Sequence, residues 1–144
     1  MSEPIKYVFT VDGDDFMSAG TASADVKRIL RQLGFDSDII RRTAIAMYEG
    51  EINMVIHAHG GIAEVEISDS AISITLRDKG PGIENIELAM SEGYSTAQDK
   101  IRALGFGAGM GLPNMKKYTD YLHIDTELGV GTTVYMKVLT KNRP

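Results

Sequence analysis

The chain has 144 residues, 43% of them hydrophobic and none of them cysteine, and a net charge of −5. This is the size of one domain, residues 1–144, with enough apolar side chains for a single core; disulfides and thiolate metal sites are excluded. The acidic balance argues against nucleic acid, no run nears the roughly 20 apolar residues of a membrane span, and no export signal opens the chain, so a soluble protein of the reducing cytoplasm is expected.

Residues 6–10 alternate as a first strand, and 11–15 read as a turn. Residues 23–33 are predicted helical because Val26, Ile29, Leu30 and Leu33 recur at helical spacing, with Gly34 placed as a C-terminal cap. Asp36, Ser37 or Asp38 caps a second, longer helix that runs to about Ala58 and ends at Gly60-Gly61. Residues 62–67 and 71–76 alternate at period two around Ser68-Asp69-Ser70, which makes a hairpin. A short helix is expected at 86–90, followed by a glycine-bearing stretch with Gly93, Gly105, Gly107, Gly109 and Gly111, read as a mobile lid over residues 84–108. Pro113 suits the first turn of a helix ending near Tyr118, and 121–125 and 132–139 form two last strands. So few β-α-β alternations exclude a doubly wound parallel sheet. The expected class is α+β, a two-layer sandwich whose mixed, mostly antiparallel sheet carries helices on one face.

Three patterns carry chemistry. On the long helix Ile45, Tyr48, Ile52, Val55 and Ile56 are read as an apolar stripe, with Glu49 and Asn53 side by side at its edge and Glu51 pointing elsewhere. A carboxylate there can polarise a hydroxyl or water, and a carboxamide four residues on can give an oxygen to a hard cation such as Mg²⁺. Asp78-Lys79-Gly80-Pro81-Gly82 follows a strand end, where a carboxylate can accept a hydrogen bond from an amino group such as adenine's. Gly105-Phe106-Gly107-Ala108-Gly109-Met110-Gly111-Leu112 runs into a helix start, so backbone N–H groups and the helix dipole converge on one point that suits triphosphate oxygens. It is neither a Walker loop nor a dinucleotide fingerprint. His57 and His59 lack further ligands for a metal site.

Each pattern also suits an ordinary helix flank, turn or linker, and their order and separation make them specific together. Glu49-x-x-x-Asn53, Asp78-x-Gly80-x-Gly82, the alternating glycines and Gly131-Thr132-Thr133 resemble the N, G1, G2 and terminal boxes of the superfamily joining gyrase, heat-shock chaperone, histidine kinase and mismatch-repair ATPases. The resemblance covers about residues 6–140 and implies the Bergerat ATP-binding fold. Within it the chain is similar to anti-sigma regulatory serine/threonine kinases, and most of all to stress-response switch-protein kinases, through 90–96 and 107–113.

The resemblance implies ATP and Mg²⁺ as cofactors and a serine on a STAS-domain protein as acceptor. It implies Glu49 as general base, Asn53 as Mg²⁺ ligand, Asp78 as acceptor for the adenine amino group, and Gly80 and Gly82 beside the adenine. Gly105, Gly107, Gly109, Gly111 and Leu112 would wrap the phosphates, and Thr132 would support Asp78, a bridging water included. Residues 97–104 are longer than the pattern, which bears on the lid and on any phosphate role for Arg102. Sequestration of a partner such as a sigma factor, ATP hydrolysis without a protein acceptor and a detached histidine-kinase domain stay open beside the kinase, as does a homodimer. The histidine-kinase alternative is weakened because His57, His59 and His123 precede Ala, Gly and Ile rather than an acidic residue.

Overall fold

The computed structural model describes residues 3–13, 19–58, 60–83, 86, 90 and 111–140. In chain order they form β1 (Ile5–Asp12), α1 (Thr21–Gln32), α2 (Ser37–Ala58), β2 (Gly60–Ile67), β3 (Ala71–Asp78), α3 (Gly111–Tyr118), β4 (Tyr121–Glu127) and β5 (Gly131–Leu139). The strands make one sheet in the order β1-β2-β3-β5-β4. Every pairing among the described strands is antiparallel. The expected α+β class holds, and the parallel component that a mixed sheet allowed for is not seen among these strands.

Period-two alternation puts Ala63, Val65 and Ile67 of β2, Ile72, Ile74 and Leu76 of β3, and Val134, Met136 and Val138 of β5 on one buried face. The helices cover that face with Val26 and Leu30 from α1, Met47 and Met54 from α2, and Met115 from α3. The opposite face carries charge: Glu64 pairs with Arg77 at 2.7 Å and with Lys6 at 3.4 Å, joining β1, β2 and β3.

The buried stripe of α2 differs from the expected one. Ile52 and Val55 are buried, but Tyr48 is 40% exposed, and Ile45 and Ile56 are only half-buried. The core side is instead Ile39, Ile40, Ala46, Met47, Met54 and Val55, joined by Thr43, Gly50 and Glu51. α2 lies on the sheet with α1 on one flank and α3 on the other. Its buried arc is therefore wider than a surface helix needs, and small or polar residues enter it. Gly50 is one of these. A Cβ there would strike the Leu76 side chain, so the close approach of α2 to β3 requires glycine despite its cost of about 1 kcal/mol in a helix.

Element starts shift for local reasons. Gly60 and Gly61 do more than end α2: they pair with Asp12 and Val11 in β2, at φ +98 and +155. Both belong to the strand because a Cβ on either would meet backbone oxygen of β1 or β3. α3 starts at Gly111, with Pro113 inside its first turn, where a missing N–H costs nothing. α1 starts at Thr21, before Ser23, behind a left-handed Gly20 that has no side chain to cap it.

Candidate functional site

The missing cap on α1 comes from α2. Glu51 is 2% exposed, and its carboxylate accepts the backbone N–H groups of Gly20 (2.8 Å), Ala22 (3.2 Å) and Ser23 (3.0 Å). These are the orphan donors of a helix N-terminus, which a carboxylate satisfies with favourable charge. Glu51 is thus turned away from Asn53, and the C-terminal half of α2 is locked to α1.

On the other edge of that half, Glu49 and Asn53 are both half-buried and meet α3. Asn114 Nδ2 donates to Glu49 Oε1 at 3.4 Å. Burial raises the proton affinity of Glu49 above that of an ordinary carboxylate, and the Asn114 hydrogen bond offsets part of the rise. Gly111 backs onto Asn53 so closely that a Cβ would lie 2.7 Å from Nδ2 and 2.9 Å from Oδ1. No residue but glycine can begin α3 there without displacing the carboxamide.

A second cluster forms at the C-terminal end of β3. Asp78 Oδ1 accepts the N–H of Gly80 at 2.9 Å and of Thr132 at 3.1 Å. Asp78 and Thr132 are cross-strand partners, so the support expected from Thr132 runs through its main-chain amide. The Thr132 hydroxyl pairs instead with Thr126 of β4 at 2.8 Å. Thr126 Oγ1 also accepts Ile83 N–H at 2.9 Å, holding the segment after Gly82 against β4. Gly82 is at φ +83, with Glu127 carbonyl 2.7 Å from where a Cβ would stand. At Gly80 a Cβ would come within 2.6 Å of Ala58, so this turn packs directly on the end of α2.

Both clusters therefore border the C-terminal half of α2. Leu112 is buried in the core, which leaves its main chain, and not its side chain, to meet a ligand. Gly105, Gly107, Gly109, Arg102, the 84–108 lid and the 97–104 insertion fall outside the described residues except for position 86 and position 90. Glu51, Asn114 and Thr126 were not singled out for these contacts by sequence reasoning. Their partners lie 31, 65 and 6 residues away, and no local pattern marks them.

The donor set suits a purine nucleotide with a hard cation. A carboxamide oxygen stands beside a half-buried carboxylate, a strand-end carboxylate is fixed by two amides, and glycines keep the backbone close at both places. Among the described residues no cluster of three or more His, Asp or Glu could hold a metal unaided.

Residues 46–142 match the model of the histidine kinase-, DNA gyrase B- and HSP90-like ATPases. The chain belongs to this ATPase family. It is 34% identical over 122 residues to an anti-sigma F factor of Clostridium beijerinckii, spanning 81% of this chain and 82% of that one. The anti-sigma F factor of Geobacillus stearothermophilus is 30% identical over 122 residues, spanning 81% and 80%. The solved RsbU and RsbW domains of a Mycobacterium tuberculosis protein superpose with a TM-score of 0.63 at 18% identity; the match covers 97% of this chain and 33% of that longer one. That likeness speaks for the fold. The chain thus carries an ATP-binding domain of the anti-sigma regulatory branch of that family. No helix among the described residues is long and apolar enough to cross a membrane.

Proposed function

We propose that this chain is a cytoplasmic Mg·ATP-dependent partner-switching protein that phosphorylates a serine on a STAS-domain protein. The observation that carries this reading is the pairing of Glu49 and Asn53 on one edge of α2, both in contact with α3. A module that only bound nucleotide would need the cation ligand but no base beside it.

In this reading Asp78 receives the adenine amino group, on a carboxylate whose orientation Gly80 and Thr132 fix. Gly80 and Gly82 let the backbone border the ring. Asn53 would give one oxygen to a bound Mg²⁺. Mg²⁺ supplies neutralisation of the phosphate charge. The G2 glycines and the N-terminus of α3 give N–H donors to the phosphates. Glu49 takes the proton of the acceptor serine as its Oγ forms a bond to the γ-phosphorus; the bond from that phosphorus to the β–γ bridging oxygen breaks, and ADP leaves.

Transfer of labelled γ-phosphate from ATP to a STAS protein encoded beside this chain tests the proposal. Label appearing on a serine of that protein, and absent with Glu49→Gln, is the expected result; tight partner binding without transfer would end the kinase reading. A second reading, sequestration of a sigma factor, is favoured by the anti-sigma F factor relatives. It is compatible with transfer, and co-purification with a sigma factor in the presence of ATP decides it.

A further inference from the structure

α3 touches both candidate catalytic side chains, at points one helical turn apart. Gly111 abuts the Asn53 carboxamide, and Asn114 donates to Glu49 Oε1 at 3.4 Å. Residue 111 faces 53 and residue 114 faces 49, so the two helices run antiparallel here. Any displacement of α3 therefore moves both contacts. A glutamate's terminal torsion is broad and nearly two-fold, so nothing in Glu49 itself fixes the plane of its carboxylate. A donor from outside must do so.

We propose that Asn114 is a positioning residue: its carboxamide holds one oxygen of Glu49 and turns the other toward the acceptor hydroxyl, tying base orientation to the seat of the helix that follows the glycine loop. This rests on Glu49 being the base. The chemistry is specific to a neutral donor. Leucine at 114 would fill the same space and leave the carboxylate plane free. Aspartate would set a second carboxylate against Glu49 and turn it away. Glutamine keeps the donor on a stem one carbon longer. Asn114 also explains the choice of residue in a turn that otherwise supplies apolar Leu112 and Met115 to the core. It stands on the α2 side of α3, where an apolar residue would pack equally well but offer Glu49 no N–H.

The test is steady-state phosphotransfer by the full chain, with Mg·ADP affinity measured in parallel by calorimetry. Asn114→Leu should lower kcat roughly tenfold, the value of one hydrogen bond to a charged group, while KM for ATP and Mg·ADP affinity stay within about twofold. Asn114→Gln should recover most of the rate, and Asn114→Asp should be slower than Asn114→Leu. An unchanged kcat in Asn114→Leu, or nucleotide affinity falling in step with kcat, overturns the proposal, the latter because it marks a merely structural residue. Should the leucine variant not fold, the Gln and Asp variants carry the comparison, and equal rates for these two overturn it. If no protein acceptor is phosphorylated, the kinase reading falls while the same variants are read on ATP hydrolysis, where Glu49 would orient water. Asn114→Leu slowing hydrolysis sustains the proposal there, and hydrolysis unaffected or absent overturns it.

Discussion

As the proposed base, Glu49 would act only when ionised, and burial makes ionisation harder than for an exposed carboxylate. The sign follows directly: phosphotransfer should fall as pH drops through a value above the ordinary carboxylate range. Glu49→Gln should flatten that acid limb as it removes the rate. A pH–rate profile of kcat checks this, and an acid limb at or below the ordinary value would contradict it. Glu49→Gln keeps the side chain's shape, so transfer should fall by roughly 10² or more with little change in nucleotide affinity. Asp78→Asn belongs to the other cluster and should behave oppositely. An amide at 78 has one oxygen; when that oxygen receives Gly80 and Thr132 N–H, the other position is an NH₂ donor and cannot accept the adenine amino group. ATP affinity should drop, and selectivity for adenine over guanine nucleotides should narrow; competition calorimetry with GTP measures it. If Asp78→Asn binds ATP as the wild type does, Asp78 does not contact the adenine.

Among the elements, α1 shows how a helix start can be legible in outline and wrong in detail. Val26, Ile29 and Leu30 announce the helix, and the sequence reading starts it at Ser23. The structure caps it from α2 instead, because Gly20 leaves the first N–H groups without a side chain and Glu51 reaches them from 28 to 31 residues away. Removing that carboxylate strands several buried donors at once. Glu51→Ala should therefore destabilise the fold by about 3 kcal/mol, more than an ordinary cap loss, by urea unfolding. A midpoint unchanged from wild type would show that water replaces the carboxylate without cost. The strands were easier to read. Alternation at period two fixes which side of a strand is buried, and β2 from Ile62 on, β3 and β5 follow it. What alternation could not show was that Gly60 and Gly61 belong to β2, since glycine at a helix end reads as a stop until the neighbouring backbone is known.

At the scale of the whole molecule, the residues of the candidate site were legible wherever they are grouped locally in sequence. Glu49 and Asn53 are one helical turn apart, and Asp78, Gly80 and Gly82 share one turn. The contacts that orient these groups join separate elements, as Asn114 does to Glu49, Thr126 to Thr132 and Thr132 to Asp78, and no spacing rule encodes them. That division has a consequence for stability. The two clusters are built from α2, α3, β3, β4 and β5, so a ligand that engages both ties together most of the sheet and the helical layer. Binding only the folded state stabilises it by RT ln(1 + [L]/Kd), about 2.7 kcal/mol at a hundredfold excess over Kd. ATP should therefore raise the melting temperature, and Mg²⁺ should add a further increment through Asn53. Asn53→Ala removes the carboxamide oxygen but leaves Asp78 and its two amide bonds in place. The variant should thus keep the rise that ATP gives in the presence of EDTA and lose the part that Mg²⁺ adds. Thermal unfolding of wild type and variant with ATP, in EDTA and in Mg²⁺, separates the two contributions. An Mg²⁺ increment that survives in Asn53→Ala would mean the cation is held without this residue, and the assignment of Asn53 as its ligand would fall.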